Sequence, residues 1–268
     1  YFWGDKVRAL QNIGGMANVT VVGTSKLCAF DTGPGNCLID GTVQRITRGK
    51  QSYDKNGKIA ARGKINLNAV KKMISHAYFQ KRPPKSTGRE LFNENFVCNY
   101  FSTVAAHGRE PLQIKVDDLV ATLTYFTAFS IYESYRKFIK DPLREIIVSG
   151  GGAYNKTLMT HLTKLFAPIP VLSIEHYKIH AQAKEPAAFA FFALQAIEGK
   201  INHSPDGTGA KHAAILGKIT PSLPVIARSV VCDEAISKQD CFAKTARNDK
   251  NVQQTLNFFA AAGKGFKK

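Results

Sequence analysis

"KLCAFDTGPGNCLIDGTVQRI", residues 26–46, decides the fold. Its opening "KLCAF", apolar after Lys26, has the make-up of a short buried strand. From Asn36 the apolar residues Leu38, Val43 and Ile46 recur at helical spacing. Between the two lies Thr-Gly-Pro-Gly, a stretch that can only turn. A strand that turns directly into a helix is the unit of an α/β domain. Asp31 stands at the junction. It either starts the turn or carries chemistry there, and these six residues leave the two readings even.

Upstream, "NVTVVG" (18–23) pairs with "KLCAFD" (26–31) as two strands around a short turn. Downstream, residues 48–64 are polar and rich in Gly and Lys, hence loop. Leu67, Val70, Met73, Ile74 and Ala77 mark an amphipathic helix. "QKRPPKSTGRE" breaks structure with two prolines and a glycine. Residues 116–139 form the longest periodic segment, one buried helix on Leu119, Leu123, Phe126, Ile131 and Phe138. "REIIVSGGG" is strand then glycine turn, "NKTLMTHLTKLF" a helix and "IPVLSI" another strand. "EPAAFAFFALQAIEGK" is a strongly apolar helix ending near Gly199. The alternation predicts an α/β domain over residues 1–221. Residues 222–268 lack periodicity and read as a separate basic tail, disordered in part.

The 268 residues are 44% apolar, enough for a real core, and no stretch nears the roughly 20 apolar residues of a membrane span. The chain opens on Tyr1 without an initiator methionine, basic n-region or apolar h-region, the start expected of a fragment and not of a signal peptide. A formal charge of +17 admits nucleic acid, an anionic surface or an anionic substrate. The basic residues are dispersed, so nucleic-acid binding is the minor reading, with the tail as its one candidate segment. Cys28, Cys37, Cys98, Cys232 and Cys241 are scattered, which favours reduced cytosolic thiols over a disulfide or metal framework.

Several short motifs admit both chemistry and bland structure. In "NIGGMANVT", Gly14 and Gly15 let a backbone approach closely, with Asn12 and Asn18 holding the turn; a plain turn is the commoner use. In "DTGPGN", Gly33 and Gly35 would leave amide N–H groups open, Pro34 would stiffen the turn and Asn36 would cap the helix, whose positive end favours an anion. That is a phosphate cradle without a Walker lysine, and Asp31 at its edge could take a proton from an attacking oxygen. Asp40 is expected about two helical turns in, too far away to replace it. "VSGGGAYNKTLM" repeats the design with Gly150, Gly151, Gly152 and Asn155 as N-cap, though such a turn alone is more often structural. Lys85 and Arg89 in "KSTGRE", with Ser86 and Thr87, could bind an anion or order a lid, though a plain surface loop is the default. Glu185 opens the apolar helix, where an acid usually serves the helix dipole. His176 and His180 are four apart with no third ligand, and no metal site is expected.

Taken in order, "QNIGGMANVT", "FDTGPGNCLID", "YDKNGKIAARGK", "PPKSTGRELFN", "VDDLVATLTYFTA", "VSGGGAYNKTLM", "KEPAAFAFFALQA" and "SPDGTGAKHAAILGKITP" resemble the anhydro-N-acetylmuramic acid kinases. The strings cover almost all of residues 9–221. The resemblance implies a ribonuclease-H-like lobe of the actin/hexokinase superfamily, with a mixed sheet flanked by helices. It implies ATP with Mg2+ and the cell-wall recycling sugar 1,6-anhydro-N-acetylmuramic acid as small-molecule partner, in the cytoplasm, with no membrane and with a homodimer as an admissible assembly. Asp31 matches the family's general base. Gly14, Gly15, Thr32, Gly33, Gly35 and Asn36 match phosphate-side positions, Gly150, Gly151, Gly152 and Asn155 the adenosine side, and Glu185 a sugar-side carboxylate. The family's other lobe, with its Ser-Gly-Thr-Ser-x-Asp-Gly phosphate loop, has no counterpart here, so the expected piece is the C-terminal lobe. The alternative is an inactive lobe that binds nucleotide or a partner only.

Overall fold

Strand β1 (Arg8–Ile13) puts Ala9, Gln11 and Ile13 fully inside and leaves Leu10 and Asn12 on the opposite face. The computed structural model describes residues 2, 4, 6–23, 27–101, 115–181 and 183–219. β1 turns at Gly14–Gly15 into β2 (Met16–Val22), which pairs with it antiparallel from Ile13↔Ala17 to Arg8↔Val22. β3 (Cys28–Pro34) pairs antiparallel with β2 and runs on through Thr32, Gly33 and Pro34, residues expected to turn, and helix α1 (Cys37–Ile46) follows two residues later. Helices α2 (Leu67–Ile74), α3 (Glu94–Phe101) and α4 (Val116–Phe138) lead to β4 (Glu145–Ser149). Then come α5 (Lys156–Phe166), β5 (Val171–Ser173), α6 (Lys184–Ile197) and the short α7 (Pro205–Thr208). The sheet order is β3-β2-β1-β4-β5, with β4 parallel to β1 and β5 parallel to β4. This mixed sheet with its helices is the ribonuclease-H-like lobe that the resemblance implied.

One core lies under the sheet. Ala9, Ile13, Val19, Val21 and Phe30 meet Ala128, Ile131 and Tyr135 of α4 and Leu158, Leu162 and Phe166 of α5. A second core gathers α1, α2, α3 and the first half of α4 around Phe79, Phe92, Phe96 and Phe126. The other sheet face carries a smaller cluster on Ile147, Ile174 and Ala181. α4 also holds polar groups where the strand–helix junction needs them. Thr127 Oγ1 donates to Gly35 O at 2.8 Å, and Ser134 Oγ donates to Thr32 O at 3.1 Å. A buried hydroxyl is tolerated because it finds such a partner.

Several expectations change. "QNIGGMANVT" is two strands and a two-residue turn, so Asn12 and Asn18 are strand residues facing each other rather than turn-holders. β1 hid behind Gln11, a polar residue at a core position. Its Nε2 donates to Asn12 O and Asn18 O, and its Oε1 accepts from Tyr135 OH. α3 was not expected. Residues 48–64 hold two short 3-10 turns, the second pinned by Asp54, whose carboxylate accepts from Ile59 N and Ala60 N at 2.8 and 2.9 Å. Asp40 lies in the first turn of α1, because the helix begins only at Cys37. α6 is helical as expected but buries none of its residues, and Phe189 and Phe191 are more than half exposed. The tail expected over residues 222–268 lies outside the described residues. Among the described residues no helix is long and apolar enough to cross a membrane.

Candidate functional site

Register sets the site. Asp31 of β3 pairs with Asn18 of β2, Asn18 with Asn12 of β1, and Asn12 with Ser149 of β4. Paired residues share a sheet face. A polar row therefore crosses four strands on the face opposite α4. At about 4.8 Å per strand it runs about 14 Å. At its far end Lys184, from the first turn of α6, donates from Nζ to Asn12 Oδ1 at 3.0 Å and to Ser149 Oγ at 2.8 Å. Burial lowers its ammonium below the usual lysine range, with Glu185 opposing. Glu185 itself is exposed, so the residue that reaches the sheet is its neighbour.

Asp31 sits beside a bulge. Ala17 pairs with Gly33 and Asn18 with Asp31, which leaves Thr32 as an extra residue on β3. Such a bulge re-aims the side chains next to it. The Thr32 hydroxyl turns inward, fully buried, and donates to Ala17 O at 3.1 Å. Thr32 is thus a structural peg and not an exposed phosphate contact. The Asp31 carboxylate accepts from Thr87 N at 2.8 Å. Burial raises it above its ordinary value, while the Thr87 amide and the Lys85 charge pull it back. It opens on a cavity of about 510 Å3 that Asn18, Thr20, Lys85, Ser86 and Thr208 also line. A half-buried carboxylate with a raised pKa, in a cavity, has the properties of a general base.

The glycine turns converge, though not as an open cradle. Gly35 N donates to Gly15 O at 2.9 Å, Asn36 N to Gly14 O at 2.8 Å and Cys37 N to Gly15 O at 3.1 Å. The Gly35 amide, expected to face a phosphate, holds the β1–β2 turn instead, together with those of Asn36 and Cys37. The reason is steric. Gly35 lies so close to that turn that an added Cβ would be 2.3 Å from Gly14 O. Asn36 makes no side-chain cap; its Nδ2 reaches Ile13 O at 3.5 Å. A Cβ on Gly151 would be 3.6 Å from Asn36 Nδ2, and one on Gly150 would be 2.7 Å from Ile13 O. Gly14, Gly15, Gly35, Asn36 and Gly150–Gly152 are therefore one packed shelf at the ends of β1 and β4. Gly33, at φ 141° against Phe79, belongs to its underside.

Lys85 and Arg89 part company. Arg89 lies beside Gly15 and lines a second cavity of about 560 Å3 with Cys37, Asp40 and Cys98. There burial pushes Asp40 up to about 6, against Arg89, and burial pushes the Cys37 thiol to about 11. Lys85 lies by Asp31. Cys28, Cys37 and Cys98 are free thiols. Among the described residues no group of three or more His, Cys, Asp or Glu could hold a metal ion.

Asn155 caps α5 as expected. Its Oδ1 accepts from Leu158 N at 3.0 Å and the residue is buried. Asn155→Ala should cost about 1–2 kcal/mol, or several degrees of Tm in a domain of this size. Asn36→Ala, which removes no cap, should move Tm by less than a third of that. Equal shifts in thermal unfolding would show that Asn36 carries the same load. The local strings give no hint of Ser149 or Lys184, and they place Asn12 and Asn18 in a turn and Thr87 in a loop that could bind an anion or order a lid. Register joins Asn12, Asn18 and Ser149, and hydrogen bonds bring in Thr87 and, 172 positions from Asn12, Lys184.

The sequence match bears on all of this. A family model described as anhydro-N-acetylmuramic acid kinase matches residues 4–222. The anhydro-N-acetylmuramic acid kinase of Caldanaerobacter subterraneus subsp. tengcongensis is 42% identical over 218 residues, 79% of this chain and 54% of that protein. The one from Clostridioides difficile is 40% identical over 223 residues, covering 81% and 56%. That of Francisella tularensis subsp. novicida is 40% identical over 221 residues, covering 80% and 55%. The chain spans about half the length of the curated relatives it matches. A solved activator of 2-hydroxyisocaproyl-CoA dehydratase from Clostridium difficile is similar only at TM-score 0.40 and 16% identity, covering 64% of this chain and 55% of that one, too distant to argue from. On the family match and the sequence identity, the chain belongs to the anhydro-N-acetylmuramic acid kinase family.

Proposed function

We propose that this chain is the Asp31-bearing lobe of an ATP-dependent kinase of 1,6-anhydro-N-acetylmuramic acid. The observation that carries the reading is Asp31: a half-buried carboxylate with a raised pKa, aimed by a bulge into a cavity at one end of a polar row. In the reaction, water adds to the anomeric carbon and gives Asp31 its proton. The bond from that carbon to the bridging 6-oxygen breaks. The freed oxygen takes the γ-phosphoryl of ATP, which leaves as ADP, and the product is N-acetylmuramic acid 6-phosphate. Proton removal by a placed carboxylate contributes about 10²- to 10⁴-fold.

The remaining roles follow from placement. The packed glycine shelf presents backbone without side chains, so a phosphate chain can lie close to it. Because its amides at 35–37 are engaged, positive charge for the phosphates comes from side chains: Arg89 beside Gly15, and Lys184 at the end of the row. The Gly150–Gly152 turn with Asn155 serves the adenosine side, and exposed Glu185 reaches the sugar. Mg2+ fits as an ion carried on the ATP phosphates, its common mode, and would neutralise charge on the transferring group. Because ATP is the donor, we place the reaction in the cytoplasm, where free thiols also persist.

Product analysis tests the reading. The chain joined to the portion that its relatives have beyond it is incubated with the anhydro sugar, ATP and Mg2+. Equimolar ADP and the 6-phosphate, with oxygen from labelled water at the anomeric carbon, is the expected result. ADP without sugar phosphate, or phosphate on another oxygen, would overturn it.

A further inference from the structure

Lys85 makes an unusual choice for an ammonium. Its Nζ lies 4.6 Å from the centre of the Tyr78 ring, 4.8 Å from that of Phe138 and 5.9 Å from that of Phe30. Three ring faces attract a cation through their quadrupoles, and more strongly where water is excluded. The Nζ also reaches Tyr78 O at 3.5 Å, and no carboxylate lies within ion-pair distance among the described residues.

The segment that carries this lysine closes around Asp31. Asp31 N donates to Lys85 O at 3.1 Å, so residue 85 extends the sheet edge at β3. Thr87 N donates to Asp31 Oδ2 at 2.8 Å. Tyr78 OH donates to Asp31 O at 2.7 Å. Asp31 is thus gripped at N–H, carbonyl and carboxylate by three residues of one segment, Tyr78 in a 3-10 turn and Lys85 and Thr87 in the loop after it, two of which belong to the cage or carry its cation. The Thr87 hydroxyl beside it is buried and has no hydrogen-bond partner among the described residues.

We propose that Lys85 is a positioning residue for Asp31: seated in the cage of Tyr78, Phe138 and Phe30, it keeps the 85–87 clasp closed and supplies the positive charge that faces the carboxylate. This rests on the reading of Asp31 as the general base. The charged and titratable groups around the pair are few. Lys137 of α4 faces Lys85 and repels it, Asp31 attracts it, and Tyr78 joins the two. Burial first, then Lys137, lowers the Lys85 ammonium to about 8, with Asp31 opposing. Burial raises the Tyr78 phenol, and the Asp31 charge raises it further, so it stays protonated and keeps donating. Without the Lys85 charge, only the Thr87 amide would oppose the burial that raises Asp31.

Carboxyl 13C NMR on residues 1–268 reads this directly, without turnover. In Lys85→Met the Asp31 midpoint should rise by about half a pH unit or more, below the roughly 1–3 units of an adjacent opposite charge because the two groups form no direct ion pair. Lys85→Arg keeps a cation that stacks on aromatic rings and should restore it. The reciprocal arm uses Asp31→Asn: the Lys85 ammonium should then titrate below its wild-type midpoint by a similar amount, since coupling between two sites is mutual. That arm decides the matter if Lys85→Met does not fold. An Asp31 midpoint unmoved in a folded Lys85→Met, or a Lys85 midpoint unmoved in Asp31→Asn, overturns the proposal. Neither result depends on whether Asp31 is the base, which turnover of Asp31→Asn reports separately.

Discussion

Asp31→Asn should lower turnover of the anhydro sugar by about 10²- to 10⁴-fold, measured in the chain joined to the remaining length of its relatives. Asparagine keeps the size of the side chain, and its Oδ1 can still accept from Thr87 N. What is lost is the oxygen that takes a proton from water. Asp40→Asn is the control. Asp40 lies in the first turn of α1 and opens with Arg89 on the other cavity, so its loss should cost less than tenfold. Stability separates this role from a structural one. Burial raises the folded pKa of Asp31 above its unfolded value near ~3.9. The stability tied to its protonated form is therefore complete below that pH and lost as pH rises through the folded pKa. Asparagine avoids that loss. At pH 7 the variant should melt no lower than the parent, and any advantage should vanish below about pH 4. Retention of more than about a tenth of the turnover, short of the expected range, would make Asp31 a structural residue of the β3 bulge.

The strand–turn–helix from Cys28 to Ile46 was legible because the apolar period changes there within five residues. α4 was legible because Leu119, Leu123, Phe126 and Ile131 recur along it, the first three packing into one core and Ile131 into the other. β1 was not, because Gln11 occupies a core position and is satisfied by Tyr135, 124 residues later, by Asn18 across the hairpin and by the Asn12 carbonyl. The same limit governs the site. Asp31 and the glycine turns could be picked out as local strings. That Asn18, Asn12 and Ser149 line up beside Asp31 is a fact of register, and so is the reach of Lys184 to two of them. Glycine spacing suggested free amides at Gly33 and Gly35. It could not show that another glycine turn would take the second of them. Lys85 and Arg89, four residues apart in one motif, looked like a single anion site until the fold sent one to the Tyr78 cage and the other to Gly15.

Gly35→Ala and Gly41→Ala should move the stability of residues 1–268 in opposite directions. The two glycines flank the start of α1, six residues apart. At Gly35 a Cβ would lie 2.3 Å from Gly14 O and 3.0 Å from Met16 C, both rigid backbone. Relief requires pulling the β1–β2 turn away from the helix. That movement breaks the bonds from Gly35 N, Asn36 N and Cys37 N to the Gly14 and Gly15 carbonyls. It also strains the contact between Gly35 O and Thr127 Oγ1. Losing two or three such bonds, at about 1 kcal/mol each, puts the cost at about 2–4 kcal/mol, in the upper range for a point substitution. Each kcal/mol lowers Tm by roughly 2–4 °C in a domain of this size. Gly41 sits inside α1, exposed, with nothing within 4 Å of its added Cβ. There alanine simply improves helix propensity, a gain of about 0.5–1 kcal/mol. Thermal unfolding of the two variants and the parent checks both signs. Because the shelf is built from those same contacts, Gly35→Ala should also weaken nucleotide binding while Gly41→Ala leaves it unchanged. A Gly35→Ala protein that melts with the parent would mean that the two turns are not locked together, and the shelf could not then hold a phosphate chain in place.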